Sequence, residues 1–202
     1  MSSSSPTAPG SARRLGRTDG FKLVGAMVAL MWMSELIDVV LGGRLDGLGI
    51  EPRDLDGLLG VVLAPFLHVG LGHLLANTFP FLVMGGVIAL AGAVRVIAVS
   101  VIVGLISGLG TWLIAPESTV HVGASGLVFG FATYLVARGV FNRDLLQLIL
   151  GAVVVLVFGT VLLGGLVPQQ GVSWQAHVFG VAGGLAAARL LARRREERLT
   201  RA

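Results

Sequence analysis

A serine set among glycines could act as a nucleophile in this chain. Ser125 lies in residues 121–126, HVGASG, where a polar loop turns into an apolar stretch. At a helix start, its hydroxyl would lie among backbone N–H groups that lack an intrahelical partner, and the helix dipole favours negative charge there. A serine hydroxyl needs a base to take its proton. His177, on another apolar segment, is the candidate base.

Two further polar residues could stabilise negative charge at the same place. His73 and Asn77 are four residues apart in a third apolar segment, so both lie on one face of a helix. Each residue alone has an ordinary explanation as a hydrogen-bonded interior group. Together, however, the four residues supply a nucleophile, a base and two donors, placed on three helices at a similar depth. This combination predicts a site for nucleophilic catalysis.

Acidic residues leave a metal site as an alternative. Glu35 and Asp38 could act as ligands together with His68 and His73. However, the sequence has no His-Glu-x-x-His pair or other compact ligand motif. We therefore expect no metal and no cofactor, and we expect Glu35 and Asp38 to tie the first helix to the loop that follows it.

The composition predicts an all-α, polytopic membrane protein. Of 202 residues, 54% are hydrophobic and 13% charged, and the mean hydropathy is +0.87. Soluble domains carry about a quarter charged residues. Cysteine is absent, which excludes disulfides and thiolate metal sites. Six apolar segments are candidate membrane spans, of which the fourth is short: residues 21–41, 71–91, 94–115, 125–140, 144–167 and 174–192.

The distribution of positive charge predicts the topology. If the N-terminus is cytoplasmic, all of the 15 lysines and arginines except Arg44 and Arg53 lie on the cytoplasmic side. This predicts a disordered basic tail (1–20), a membrane domain (21–192) and a second basic tail (193–202), with both termini cytoplasmic. Because the basic residues lie at helix ends and in tails, we expect no nucleic-acid partner.

Small residues at a spacing of four predict close packing of the fourth and sixth segments. Small-xxx-small faces let helix backbones approach closely, which would bring Ser125 toward His177. Gly151, on the fifth segment, is expected to lie away from this contact. The glycines in question are Gly126, Gly130, Gly180 and Gly184.

Three motifs resemble the signatures of rhomboid intramembrane serine proteases. They are HLLAN (73–77), GASG (123–126) and AHVFG (176–180), in the family's order and helix placement. His68 also fits a second histidine often seen in that family. The resemblance covers residues 21–192 and implies a six-helix rhomboid-like bundle.

The resemblance implies roles for individual residues. Ser125 would be the nucleophile and His177 the general base of a dyad, with Phe129 packed against the histidine. His73, Asn77 and the backbone N–H of Ser125 would form the oxyanion hole. Residues 42–64 lack the Trp-Arg pair common in the family, which leaves open how this first outer loop is anchored.

The implied partners are transmembrane protein substrates and membrane lipids, in the plasma membrane of a bacterium. A rhomboid-like protein that escorts transmembrane clients without cleaving them is the alternative, but such proteins usually lack the serine or the histidine. A transporter is less well supported, because no broken-helix pair or inverted repeat stands out.

Overall fold

The computed structural model describes residues 16–192, and its regular elements there are helices. Residues 1–15 of the first predicted tail and the whole of the second, residues 193–202, lie outside this part. Three 3₁₀ turns, Leu45–Leu48, Asp56–Leu58 and Ala64–Phe66, lie between the first and third helices. The α-helices are α1 (Arg17–Leu41), α2 (Gly60–Leu63), α3 (Gly70–Ala89), α4 (Ala93–Ile114), α5 (Ser125–Asn142), α6 (Leu145–Gly165) and α7 (Trp174–Leu190).

The six long helices coincide with the six predicted apolar segments to within a few residues. The largest difference is at α1, which begins at Arg17, so the predicted tail boundary at residue 20 was wrong. The Asp19 carboxylate accepts a hydrogen bond from the Gly16 N–H and thereby caps the polar first turn. Among residues 16–192, four helices are long and apolar enough to cross a membrane: α1, α3, α4 and α6.

Helix α5 lies at the centre of the bundle and packs against α3, α4, α6 and α7. Its Phe131 is fully buried and packs against Phe81 of α3 at a ring-centroid distance of 5.2 Å. Helix α6 packs mainly on α5 and leaves apolar side chains such as Leu156 exposed. Apolar side chains on the outside of a helical bundle are typical of contact with lipid.

Glycines let α5 and α7 approach closely. A Cβ atom on Gly180 would lie 2.3 Å from the Gly126 carbonyl oxygen, and one on Gly184 would lie 2.2 Å from the Gly130 carbonyl oxygen. No larger residue fits there without moving a helix. Gly151 is also a contact residue, because its Cβ would lie 2.8 Å from the Cα of Val136. Gly151 therefore lies away from the contact between α5 and α7, as predicted, but in a separate close contact between α6 and α5 that the sequence did not reveal.

The loop at residues 42–59, which is most of the predicted first outer loop (42–64), is anchored by a tryptophan and an arginine from different parts of the chain. Arg53 has a positive φ of 60°, its N–H donates to the Trp112 carbonyl, and its guanidinium Nε pairs with Glu117 at 2.8 Å. The indole N–H of Trp112 donates to the Asp54 carbonyl at 2.7 Å. This arrangement answers the question that the missing Trp-Arg pair left open.

Asp38 also holds this loop, as the sequence predicts. Its carboxylate accepts a hydrogen bond from the Leu45 N–H at 2.6 Å, at the start of the first 3₁₀ turn. Glu35, one turn earlier in α1, is also buried. Asp38 therefore connects α1 to the loop.

Candidate active site

Ser125 and His177 are hydrogen-bonded to each other. The Nε2 atom of His177 lies 2.8 Å from the Ser125 hydroxyl oxygen. Ser125 is the first residue of α5, and His177 lies at the end of the first turn of α7. The glycine contacts between these two helices bring the side chains together at one end of the bundle.

The His177 ring is held on its other side by a backbone carbonyl. Its Nδ1 atom lies 2.6 Å from the carbonyl oxygen of Gly165, the last residue of α6. A carbonyl only accepts, so Nδ1 carries the proton and Nε2 of the neutral ring is free to accept one. Phe129 stacks on the imidazole at a centroid distance of 4.1 Å and an interplanar angle of 4°.

Sequence analysis missed the Gly165 carbonyl, since a backbone group leaves no mark on residue type. One indirect signal is the glycine itself. A Cβ at residue 165 would lie 2.7 Å from Cζ of Phe129 and 3.1 Å from Nδ1 of His177.

His73 and Asn77 lie beside the loop that leads into α5. The Asn77 side chain donates to the His73 carbonyl at 3.0 Å, within α3. Gly123 has a φ of +112°, and a Cβ there would lie 2.6 Å from Cε1 of His73 and 3.8 Å from Nδ2 of Asn77. Both side chains therefore approach the turn that precedes Ser125.

A cavity of about 400 Å³ joins the predicted residues. That volume admits an amino-acid side chain or several water molecules. Its apolar wall includes Val128, Phe158, Val161 and Leu162. Its polar lining includes His73, Asn77, Ser125, Gln169 and His177.

Two further side chains hold the loop and helix that carry the dyad, and the sequence did not single them out for this role. The Ser107 hydroxyl of α4 donates to the Ala176 carbonyl at 2.8 Å, directly before His177. His68 is buried, and its Nε2 accepts from the Ala124 N–H at 3.4 Å, directly before Ser125. Burial, together with neighbouring His73, lowers the pKa of His68 to about 4, so it remains a neutral acceptor.

Within residues 16–192, the histidine, aspartate and glutamate side chains form no group of three or more that could hold a metal ion. Asp38 has the anchoring contact to the loop described above.

Comparison with known proteins identifies the family. The family model described as Rhomboid domain matches residues 56–194. An uncharacterized protein of Mycobacterium tuberculosis H37Rv is 46% identical over 172 residues, covering 81% of this chain and 72% of that protein. An uncharacterized protein of Mycobacterium leprae is 41% identical over 199 residues, covering 94% and 78%.

A more distant relative carries a functional name. The Bacillus subtilis protein named "Putative rhomboid protease YdcA" is 29% identical over 133 residues, covering 65% of this chain and 66% of that protein. The resemblance of the three sequence motifs is thus confirmed at the level of the family. With its apolar helices, the chain is a multi-pass membrane protein that belongs to the rhomboid family.

Proposed function

We propose that this protein is an intramembrane serine endopeptidase that uses Ser125 and His177 as a catalytic dyad. The observation that carries the proposal is the 2.8 Å contact between His177 Nε2 and the Ser125 hydroxyl. The Gly165 carbonyl and the Phe129 ring orient the imidazole so that this nitrogen faces the serine. The pair opens onto a cavity large enough for a substrate side chain.

The geometry supports a two-step hydrolysis. The Ser125 oxygen attacks a peptide carbonyl, while Nε2 of His177 takes the hydroxyl proton and then gives it to the leaving amine. Water next attacks the resulting acyl-enzyme ester, again with His177 as the base, and releases the second product. His73, Asn77 and the Ser125 N–H would donate to the oxyanion, and loss of one such donor typically costs about 10²–10³ in rate.

The substrates that fit this site are proteins with a transmembrane helix. The cavity is bordered by Pro80 of α3 and by Phe158 and Leu162 of α6. Helices α3 and α6 meet here through Phe79 and Phe158, whose ring centroids are 5.8 Å apart. Since α6 packs mainly on α5, we propose that a substrate segment enters from the lipid between α3 and α6. It must unwind first, because helical hydrogen bonds shield its peptide bonds.

The proposed topology has six spans with both termini in the cytoplasm. The four long apolar helices support it. The shorter α5 and α7 would be the remaining two spans, each beginning at the outer side. Residues 17–192 would form the membrane domain between two basic tails. The bacterial relatives support placement in a plasma membrane, surrounded by lipid.

The test is cleavage of a single-span model protein by the purified chain in proteoliposomes. We expect cleavage near the outer end of the substrate helix, its loss in Ser125→Ala, and no effect of a chelator. Cleavage by Ser125→Ala would contradict the serine mechanism. Stable substrate binding without cleavage by the wild type would instead favour a catalytically silent client-binding protein.

A further inference from the structure

His121 connects the loop before α5 to the segment before α7. Its Nε2 lies 2.8 Å from the Thr119 hydroxyl oxygen, and its Nδ1 lies 2.8 Å from the Ser173 hydroxyl oxygen. The Thr119 hydroxyl donates its hydrogen to the Pro116 carbonyl at 2.5 Å. Thr119 can therefore only accept from His121, so Nε2 carries the ring proton. Nδ1 is then the acceptor, and the Ser173 hydroxyl donates to it.

The His121–Ser173 bond links the same two parts of the chain as the proposed dyad does. His121 lies four residues before Ser125, and Ser173 lies four residues before His177. Ser173 is the residue from which α7 starts, and its carbonyl accepts from the His177 N–H at 3.2 Å. Ser173 therefore holds the first turn of α7, which carries His177, together with the Ser107–Ala176 hydrogen bond.

The two ends of this connection differ in how firmly they are held. The His121 backbone exchanges hydrogen bonds with Ile50, with N···O distances of 2.9 and 3.0 Å. Residues 166–173, in contrast, make local contacts: Gln169 donates to Gly164, and the Val172 N–H donates to the Gln169 carbonyl. Within the described part of the chain, the hydrogen bond that links this segment to the loop before α5 is the one from the Ser173 hydroxyl to His121 Nδ1.

We propose that His121 is a positioning residue for the reaction described above. Through Ser173 it sets where α7 begins, and so it sets the distance between His177 Nε2 and the Ser125 hydroxyl. The inference rests on the proposed function. A displacement of about 1 Å in reacting groups can cost on the order of 10² in rate. If the start of α7 shifts because this bond is lost, kcat should therefore fall while substrate binding stays nearly intact.

The experiment compares His121→Leu, Ser173→Ala, the double variant and His121→Asn in proteoliposomes. The readouts are kcat and KM for a single-span substrate, normalised to the fraction of protein whose Ser125 reacts with a fluorophosphonate. We expect each single variant to lower kcat by about tenfold with little change in KM. The double variant should be no worse than either single one, because both remove the same bond.

His121→Asn is the rescue variant, because its side-chain oxygen accepts near the position of Nδ1. We expect it to recover kcat to within about threefold of the wild type. Glu117→Gln is the matched control on the same loop: it removes an exposed ion pair with Arg53, which contributes little. It should behave like the wild type.

Three results would overturn the inference: unchanged kcat in both single variants, additive losses in the double variant, or no recovery in His121→Asn. A lower melting temperature with unchanged normalised kcat would show that the bond is merely structural, which also overturns it. Failure of the proposed function looks different, because the wild type itself would then neither cleave substrate nor react at Ser125.

Discussion

The imidazole of His177 is oriented by the carbonyl oxygen of Gly165, at 2.6 Å from Nδ1. In serine hydrolases with a triad, a carboxylate takes this place and stabilises the imidazolium that forms during the reaction. Gly165 is the last residue of α6, where unpaired carbonyls give the helix end a partial negative charge. The helix end can thus support a transient positive charge on His177 without a buried carboxylate.

Gly165→Ala tests this relationship. The new methyl group would lie 2.7 Å from Cζ of Phe129 and 3.1 Å from Nδ1 of His177, so the stacked pair must move. We expect kcat to fall by about 10²-fold, because the base is displaced from the serine. The neighbouring Gly164→Ala is the control, since a Cβ there meets nothing within 4 Å. Equal activity of the two variants in proteoliposomes would show that the carbonyl does not position the base.

Gly180→Val tests the close contact between α5 and α7. Even the Cβ would lie 2.3 Å from the Gly126 carbonyl oxygen, so the helices must separate. We expect loss of most activity and a lower melting temperature in detergent, since overpacking typically costs about 1–3 kcal/mol. Gly25→Val on α1 is the comparison, because its Cβ meets nothing within 4 Å. Similar, mild effects in both variants would argue against a tight glycine contact.

Asn77→Ala tests the proposed oxyanion hole. If the amide donates only when charge develops on the substrate oxygen, kcat should fall by about 10²-fold with KM nearly unchanged. Thr78→Val is the control on the same helix turn. Thr78 accepts from the indole N–H of Trp32 at 3.1 Å, so its loss should alter stability rather than kcat. A change confined to KM in Asn77→Ala would assign the residue to substrate docking.

His68 predicts a pH dependence of stability. Its folded-state pKa is about 4, against an ordinary value near 6.5, because burial and His73 disfavour the charged form. Between these values the unfolded chain binds more protons, so the free energy of unfolding should fall as the pH drops from 7 to 4.5. The full effect is on the order of 3 kcal/mol, and it disappears above pH 7.

His68→Gln keeps an acceptor for the Ala124 N–H but removes the titration. Its melting temperature in detergent should therefore depend less on pH than that of the wild type. Asp46 acts in the opposite direction, because burial, Asp38 and Glu35 raise its pKa to about 6. Since Asp46 is present in both proteins, the difference between them isolates His68. Parallel curves would show that His68 does not titrate in this way.

The helices and the pairing of α5 with α7 could be predicted from the sequence, because the length of an apolar segment and the spacing of its glycines are local features of the sequence. The start of α1 was misplaced because a capped polar turn resembles a tail. What the sequence did not reveal concerns contacts between distant residues. The Arg53–Trp112 anchor, the Gly165 carbonyl and the crowding at Gly151 depend on how helices meet, which residue types alone do not specify.

The most direct test of the central claim is to identify which residue a fluorophosphonate modifies in the purified protein. We expect mass spectrometry to find one adduct, on Ser125, because His177 activates that hydroxyl. The adduct should form at least about 10²-fold more slowly in His177→Ala and be absent in Ser125→Ala. Modification of another residue, or an unchanged rate without His177, would contradict the Ser125–His177 dyad.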